Sequence, residues 1–506
     1  GNHFYNPFHF DDDHSIVSNT WIRDLKNVPR FFVDGKTSSS LPANQSYRPG
    51  LTTLNAIDYA IAAKDPLSIG PNILYPTEAG LKPFYFHLSI FTSYLFLAFL
   101  IFLLLKKIFE ISFQHRWSRY FALFITAFYC FHTANAETIN YIVARADSFS
   151  TLMILLSLVL YIYFPGKRKY LFYLLPYIAG FMVKEPAIMF APILFFHILL
   201  FEKQADLSKI FSRETRQKML ASFKAVLIPL VIAVGLFILS NALRSKTFNA
   251  GIISRWDYLI TQPFVIVKYF GTFLFPIDLS ADTDWKALHT VADIRLFFGL
   301  LFIAGMVWLA FRVSRDKKYR PVSFGIFWFF LALLPTSSVI PLSEVLNDHR
   351  IFFPNIGMTL AFWTFPVYLI FIKNEKKFLF IPWVRVVCFV TIAGVLSVHA
   401  YGTRQRNKVW GSYESLWYDV TIKSPENGRG LMNYGLSQMR KGNYATAKTY
   451  FERALKYNPY YSLLHVNLAI LYNSMKDVAN SEKYFKSGVA IGTYQDICQY
   501  YYGDFL

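Results

Sequence analysis

The chain has 506 residues and a formal net charge of +19, from 51 Lys and Arg against 32 Asp and Glu. Only 16% of the residues are charged and 54% are hydrophobic, whereas a soluble domain carries about 25% charged residues. This composition excludes a disordered chain. The basic residues stand in short clusters between apolar runs, which is typical of a polytopic membrane protein and argues against nucleic acid as the partner.

Residues 1–83 are polar and contain no apolar stretch of the roughly 20 residues that a membrane span needs. We therefore expect a first outer loop here, and a membrane helix that precedes Gly1. Ten apolar runs then follow, and we predict that each crosses the membrane. They are 84–105, 119–135, 148–164, 170–183, 187–201, 223–243, 295–312, 322–341, 355–373 and 383–401.

The basic clusters predict the orientation of these spans, because Lys and Arg gather in cytoplasmic loops. Five clusters fall on alternate loops if the run 258–276, which contains Pro263, does not cross. We interpret that run as interfacial or re-entrant. Residues 1–83 and the loops 136–147, 184–186, 244–294 and 342–354 then share the opposite face, together with the C-terminus.

Beyond Tyr401 the composition is that of a soluble helical domain. Gly442-Asn443-Tyr444, Ala447, Phe451, Ala454-Leu455 and Pro459 match the 34-residue tetratricopeptide pattern. A second unit follows from Asn467, and a third is expected to begin near Tyr494. Because stable arrays need about three repeats, we expect the native protein to continue. The predicted fold is all-α, with an outer loop (1–83), a polytopic membrane helix bundle (84–401) and a tetratricopeptide-repeat domain (402–506).

The acidic triplet Asp11-Asp12-Asp13 is the first candidate for chemistry. Adjacent carboxylates repel one another, which raises at least one pKa, and a carboxylate at a membrane interface can be a general base for a hydroxyl. The alternative is a solvated acidic turn or a helix cap.

Four further groups of ionisable residues border the apolar runs, where charge is costly unless it faces a cavity or a partner. They are His132 with Glu137, Arg145 and Asp147; Lys184-Glu185; Asp348-His349-Arg350; and Arg48 beside Pro49. An arginine here would bind a phosphate bidentately. The alternatives are an interfacial Arg145–Asp147 pair, a Lys184–Glu185 pair that breaks a helix hairpin, and a membrane anchor at Arg350.

These motifs, in this order, resemble those of the transmembrane and tetratricopeptide-repeat protein O-mannosyltransferases and their bacterial relatives, in the C-type glycosyltransferase superfamily. The matching positions are Phe8-x-Phe10-Asp11-Asp12, Ile16-Val17-Ser18-Asn19, Tyr47-Arg48-Pro49 with Thr52-Thr53-Leu54-Asn55, His87, His132, Glu137, Arg145-Ala146-Asp147, Lys184-Glu185, His349-Arg350 with Pro354 and Gly357, and the repeats. The chain departs from the family at Thr133, where a proline is usual, and at Asp348-His349-Arg350, where the family has a Glu-Arg pair.

The resemblance implies an inverting glycosyltransferase that moves a hexose, by analogy mannose, from a polyprenyl phosphate to an acceptor hydroxyl such as a protein Ser or Thr. It implies that Asp12 is the base, assisted or oriented by Asp11. The residues expected to hold the donor are Arg350, Arg145, Arg48, His349 and Lys184. The residues expected to support the site are Asp13, His132, Glu137, Asp147 and Glu185. No cofactor or metal is expected, since arginine can meet the phosphate.

The expected location is a membrane, by resemblance a bacterial inner membrane, with the site and the repeats on the non-cytoplasmic side. The expected partners are membrane lipid, the lipid-linked donor, and an acceptor or partner protein at the repeats. Two other functions stay open at this stage. One is a non-catalytic scaffold that recruits partners through its repeats. The other is a lipid-linked sugar flippase or a polysaccharide polymerase.

Overall fold

The computed structural model describes residues 2–65, 81–247, 253–338, 341–342, 344–492 and 495–506. Every regular element in these residues is helical. The predicted all-α fold class is confirmed. The described chain divides into two compact units. The first contains residues 1–277 and 287–407, and the second contains residues 278–286 and 408–506.

The first unit begins with short helical turns and the helix α1 (Pro49–Ala62), and continues with further helices, most of them apolar. These helices are α2 (Phe84–Phe113), α3 (Ser118–Phe131), α4 (Arg145–Tyr163), α5 (Leu174–Val183), α6 (Phe190–His197), α7 (Arg213–Ala225), α8 (Leu227–Leu243), α9 (Arg255–Leu274), α10 (Ile294–Val313), α11 (Arg320–Leu333), α12 (Pro354–Val367) and α13 (Pro382–Val409). Short π-helical turns extend α6 to Glu202 and α12 to Lys373.

A helix lies at each of the ten predicted apolar runs. Within the described residues, six helical segments are long and apolar enough to cross a membrane, or seven if the bent pair of α7 and α8 forms one span. The helices α3, α5 and α11 have 14, 10 and 14 residues. They are shorter than a full span because the apolar runs extend into residues that are not α-helical. The run 258–276, interpreted as interfacial or re-entrant, lies almost entirely in the single helix α9, which contains Pro263 and is not among these candidate spans.

Contacts among α2, α4 and α5 build the large apolar core of the first unit. Leu97, Leu104, Ile154 and Leu158 belong to this core and are fully or almost fully buried. The two leucines of α2 are seven residues apart and the two residues of α4 are four apart, so one face of each helix supplies the core. Two of the predicted site segments adjoin these helices, since Arg145 begins α4 and Lys184 follows α5.

The second unit consists of the helices α14 (Tyr413–Lys423), α15 (Gly428–Arg440), α16 (Tyr444–Tyr457), α17 (Ser462–Ser474), α18 (Val478–Ile491) and α19 (Gln495–Phe505). Consecutive helices pack as antiparallel pairs, as the repeat pattern predicts. Ala447, Phe451 and Ala454 are fully buried. A Cβ at Gly435 would overlap the Phe451 ring, so the glycine lets α15 approach α16. The predicted repeat start at Tyr494 lies outside the described residues.

Candidate functional site

The acidic loop places its three carboxyl groups in different surroundings. Phe10 has a left-handed φ of 49°, and a π-helical turn follows from Asp13 to Val17. Asp12 is fully buried, and its two oxygens accept the backbone N–H groups of His9 at 2.9 Å and Val143 at 2.7 Å. Burial raises the pKa of Asp12 to about 8, because the amide hydrogen bonds offset only part of the cost of burying charge.

Asp11 is accessible where Asp12 is not. The Asp11 side chain is 55% exposed, and its Oδ1 lies 3.2 Å from Nε2 of His14. The backbone N–H of Asp11 donates to the Tyr141 hydroxyl at 3.1 Å. Asp13 is also exposed, and it accepts a hydrogen bond from the Ser18 hydroxyl at 3.3 Å. Of the three, only Asp11 is both accessible and held by a second segment of the chain.

His349 links the acidic loop to a third segment. Its Nδ1 lies 2.8 Å from Oε1 of the buried Glu137, and its ring centroid lies 6.4 Å from that of Tyr141. Tyr141 in turn accepts the hydrogen bond from Asp11. Four of the predicted residues, Asp11, Asp12, Glu137 and His349, are therefore brought together around the 137–143 segment.

Arg145 is enclosed at the beginning of α4. It forms an ion pair with Asp58 of α1, and its side chain is fully buried. Its Nε and Nη2 atoms have no hydrogen-bond partner among the described residues. The alternative of an interfacial Arg145–Asp147 pair is not what the structure shows, since residues two apart point to different sides of a helix. The Nε and Nη2 nitrogens can therefore still donate hydrogen bonds to oxygen acceptors.

Lys184 and Glu185 do not pair with each other either. The Lys184 ammonium group contacts both oxygens of Asp147 at 2.7 Å. Glu185 lies between two arginines, with Arg48 Nη2 at 3.3 Å and Arg244 Nη2 at 3.7 Å. All three side chains of this cluster are between 26% and 30% exposed. Two guanidinium groups therefore converge on one carboxylate.

A small apolar cluster holds these ion pairs side by side. Leu51, Ala146 and Val183 are buried against one another. Leu51 follows Arg48 closely in sequence, Ala146 lies between Arg145 and Asp147, and Val183 directly precedes Lys184 and Glu185. A Cβ on Gly50 would come within 3.0 Å of backbone and side-chain atoms of Met182 and Val183. The glycine therefore permits the start of α1 to approach the end of α5.

Two predicted residues lie apart from this group. Arg350 is buried, and its guanidinium group donates to the Glu344 carbonyl at 2.9 Å and lies 3.6 Å from the Glu344 carboxylate. His132 caps the end of α3. Its Nε2 is 2.9 Å from the Phe273 carbonyl, and its ring stacks on that of His399 at 4.6 Å. Among the described residues, neither side chain forms a hydrogen bond or an ion pair with the acidic loop, although Arg350 follows His349 in sequence.

Four residues that matter to this geometry were missed by the sequence reasoning. Asp58 is an isolated acid in an otherwise uncharged helix, and that isolation was a usable signal. Arg244 directly follows an apolar run, outside the five basic clusters. Tyr141 and Glu344 gave no signal, since their roles depend on partners 130 and six residues away.

Comparison with known proteins gives two matches. Residues 428–461 match the family model of the tetratricopeptide repeat. The protein O-mannosyl-transferase Tmtc3 of Drosophila melanogaster is 24% identical over 165 residues, which is 32% of this chain. The chain matches 17% of the length of that relative. No solved structure matches. The repeats are thus shown, and the similarity to a transferase is weak and partial.

Proposed function

We propose that the protein is an inverting membrane glycosyltransferase that moves a hexose, by analogy mannose, from a polyprenyl phosphate to a hydroxyl group of an acceptor protein. The observation that carries the proposal is the hydrogen bond between Asp11, whose carboxylate is accessible, and Tyr141. Tyr141 lies four residues before Arg145 in the chain. The similarity to a protein O-mannosyl-transferase supports the same class of reaction.

The exposure of the two carboxyl groups favours Asp11 as the general base. Asp12 is enclosed, and with a pKa of about 8 it is largely protonated at neutral pH. We therefore exchange the roles that the resemblance implied. Asp12 positions the loop by binding the His9 and Val143 amides. Asp11, next to His14, takes the proton from the acceptor hydroxyl.

The proposed transfer is a single displacement. The acceptor oxygen forms a bond to the anomeric carbon as the bond from that carbon to the phosphate oxygen breaks. The acceptor proton goes to Asp11, and the electron pair leaves with the polyprenyl phosphate. One displacement inverts the anomeric configuration. The phosphate carries negative charge before and after the step, so fixed cations suffice to hold it.

The Arg48–Glu185–Arg244 cluster is the accessible place for that phosphate. Two guanidinium groups already converge on an anion there, and a phosphate binds such groups bidentately. Arg145 adds two nitrogens without partners in the described residues. The charge of Lys184 is neutralised by Asp147, and this ion pair joins the end of α5 to the start of α4. His349 joins the proposed donor site through its contact with Glu137. Arg350 stays a proposed donor residue only as its neighbour in sequence, since its guanidinium group binds Glu344.

The proposal includes the location. The alternating basic clusters support a site and repeats on the non-cytoplasmic side, and the resemblance to bacterial relatives supports a bacterial inner membrane. The repeats provide a surface for an acceptor or partner protein. No resident cofactor is part of the proposal, because the lipid-linked sugar is the donor substrate.

The test is sugar transfer by purified protein from polyprenyl-phosphate mannose to a Ser/Thr peptide. Asp11→Asn is nearly isosteric but accepts no proton, so transfer should fall by about 10²–10⁴-fold. Asp13→Asn is the matched control, since Asp13 is exposed in the same triplet and should leave transfer near the wild-type rate. Both variants should melt like the wild type. Full activity of Asp11→Asn would remove Asp11 as the base, and an inactive wild type with intact partner binding would favour the scaffold.

A further inference from the structure

A cavity of about 220 Å³ lies at the end of α4, far along the helix from Arg145. It is lined by Leu160, Phe164, Lys167, Arg168, Phe172 and Tyr173. The segment Arg145–Tyr163 is long and apolar enough to cross a membrane. Because a span ends where the hydrocarbon ends, the cavity lies at the level of the lipid headgroups.

The apolar lining is not covered by protein. Phe164 and Phe172 are 48% and 59% exposed, and the neighbouring Tyr170 is 57% exposed. Exposed aromatic rings at the end of a span are typical of the membrane interface, where one side of the ring contacts acyl chains. The cavity therefore offers an apolar wall to a lipid chain.

The two lysines of the adjoining loop carry uncompensated charge. Arg168 is fully engaged, because it forms a bidentate pair with Glu202 at 2.9 and 3.3 Å and donates to the Tyr161 carbonyl. Lys167 and Lys169 are exposed, and neither has a carboxylate partner in the described part of the chain. An apolar cavity with free cations at its rim is complementary to a molecule with an acyl chain and an anionic head.

We propose that this cavity binds one anionic glycerophospholipid, with an acyl chain against Leu160, Phe164 and Phe172 and the headgroup phosphate beside Lys167 and Lys169. The charge of the rim selects an anionic lipid over a zwitterionic one. The apolar wall distinguishes a lipid from free phosphate. The site is independent of the acidic loop and of the proposed transfer reaction.

The experiment is native mass spectrometry of the purified protein titrated with phosphatidylglycerol, with phosphatidylcholine and inorganic phosphate as separate arms. Lys167→Gln with Lys169→Gln should weaken phosphatidylglycerol binding by about tenfold, since each lysine near an anionic headgroup strengthens the binding of that lipid. The matched control is Lys376→Gln with Lys377→Gln. Those two lysines are also exposed, just beyond the end of the candidate span Pro354–Lys373, and removing them should leave this binding unchanged.

A second variant tests the cavity itself. Leu160→Trp fills the apolar space while keeping both lysines, and it should abolish the bound lipid without changing the melting profile of the protein. Equal binding of phosphatidylcholine, full competition by inorganic phosphate, or equal losses in the two lysine pairs would each overturn the proposal.

Discussion

Asp11 and Asp12 are adjacent in the chain, yet their carboxyl groups meet opposite surroundings. Asp11 remains in contact with solvent beside His14, and Asp12 is enclosed by backbone amides. The difference arises because Phe10 takes a left-handed conformation and a π-helical turn follows. The division of work between base and positioning residue therefore depends on backbone geometry that the three identical side chains do not reveal.

The buried Asp12 predicts a pH dependence of stability. Its pKa is about 8 in the folded protein and 3.8 as an ordinary carboxyl. Between these values the folded state holds a proton that the unfolded state releases. Stability should therefore fall as pH rises from about 4 to about 8, by at most about 1.4 kcal/mol per pH unit, and then level off. The melting temperature of the wild type, measured in detergent at pH 5, 6.5 and 8, should follow this direction.

The amide variant isolates that contribution. Asp12→Asn does not titrate, so the difference in melting temperature between wild type and variant should become less favourable to the wild type as the pH rises. Asp13→Asn is the control, because Asp13 is exposed and its variant should run parallel to the wild type at every pH. Parallel curves for Asp12→Asn as well would show that Asp12 is ionised when folded.

The sequence identified which ionisable residues border the membrane runs, but not how they pair. Arg145 pairs with Asp58, 87 positions away, and Asp147 pairs with Lys184, 37 positions away. Neighbours in sequence suggested an Arg145–Asp147 pair. Pairing of buried charges is decided by the packing of α1, α4 and α5, since each buried charge must find the opposite charge that the fold brings to it.

At the scale of the elements, α11 and α12 cross closely. A Cβ on Gly325 would overlap the Gly357 carbonyl oxygen, and a Cβ on Gly357 would overlap that of Gly325. Small residues at such a crossing let two backbones touch, which is a main source of helix association in membranes. Gly325→Ala should therefore force the helices apart and cost about 1–3 kcal/mol, seen as a lower melting temperature.

The control for this prediction is a glycine in an open position. Gly305 lies inside α10, and a Cβ there would meet nothing within 4 Å. Gly305→Ala should be neutral or should stabilise the protein by up to about 1 kcal/mol, because alanine is the better helix former. If both variants melt alike, the crossing has room to relax and the glycine pair is not needed for close packing.

Apolar patterning located the helices well and their ends poorly. The apolar run 119–135 continues past Phe131, but the helix α3 ends there. It ends because the His132 backbone is not helical and the His132 imidazole accepts a hydrogen bond from the Ala134 amide. Apolar content does not report such a cap. The run 258–276 was interpreted as interfacial or re-entrant because it contains Pro263, and the helix α9 continues through that proline. A proline removes only one N–H donor, so a helix can pass through it.

At the scale of the whole molecule, the division into units differs from the order of the chain. Residues 278–286 separate α9 from α10 in sequence, but they belong to the unit of the repeats. Asn427 donates to the Thr283 carbonyl and Lys423 donates to the Leu279 carbonyl. Partners more than 140 residues apart left no periodic signal. The repeat pattern itself was visible, because each repeat places the same small and large residues at fixed spacing.

We predict that the ion pair of Asp282, the most buried charge in this loop, holds the loop in place. Asp282 is 4% exposed and binds Arg429 Nε at 2.6 Å, whereas Lys286 and Glu426 form a pair that is 77% and 50% exposed. Asp282→Ala removes a buried partner and should loosen the loop, since breaking buried pairs is costly. Lys286→Ala should change little, because exposed pairs contribute about 0–1 kcal/mol.

The measurement is the rate of chymotrypsin cleavage after Trp285, followed by mass spectrometry of intact protein. Cleavage should be several-fold faster in Asp282→Ala and unchanged in Lys286→Ala. Wild-type rates in both variants would mean that the backbone hydrogen bonds to Asn427 and Lys423 hold the loop without the ion pair.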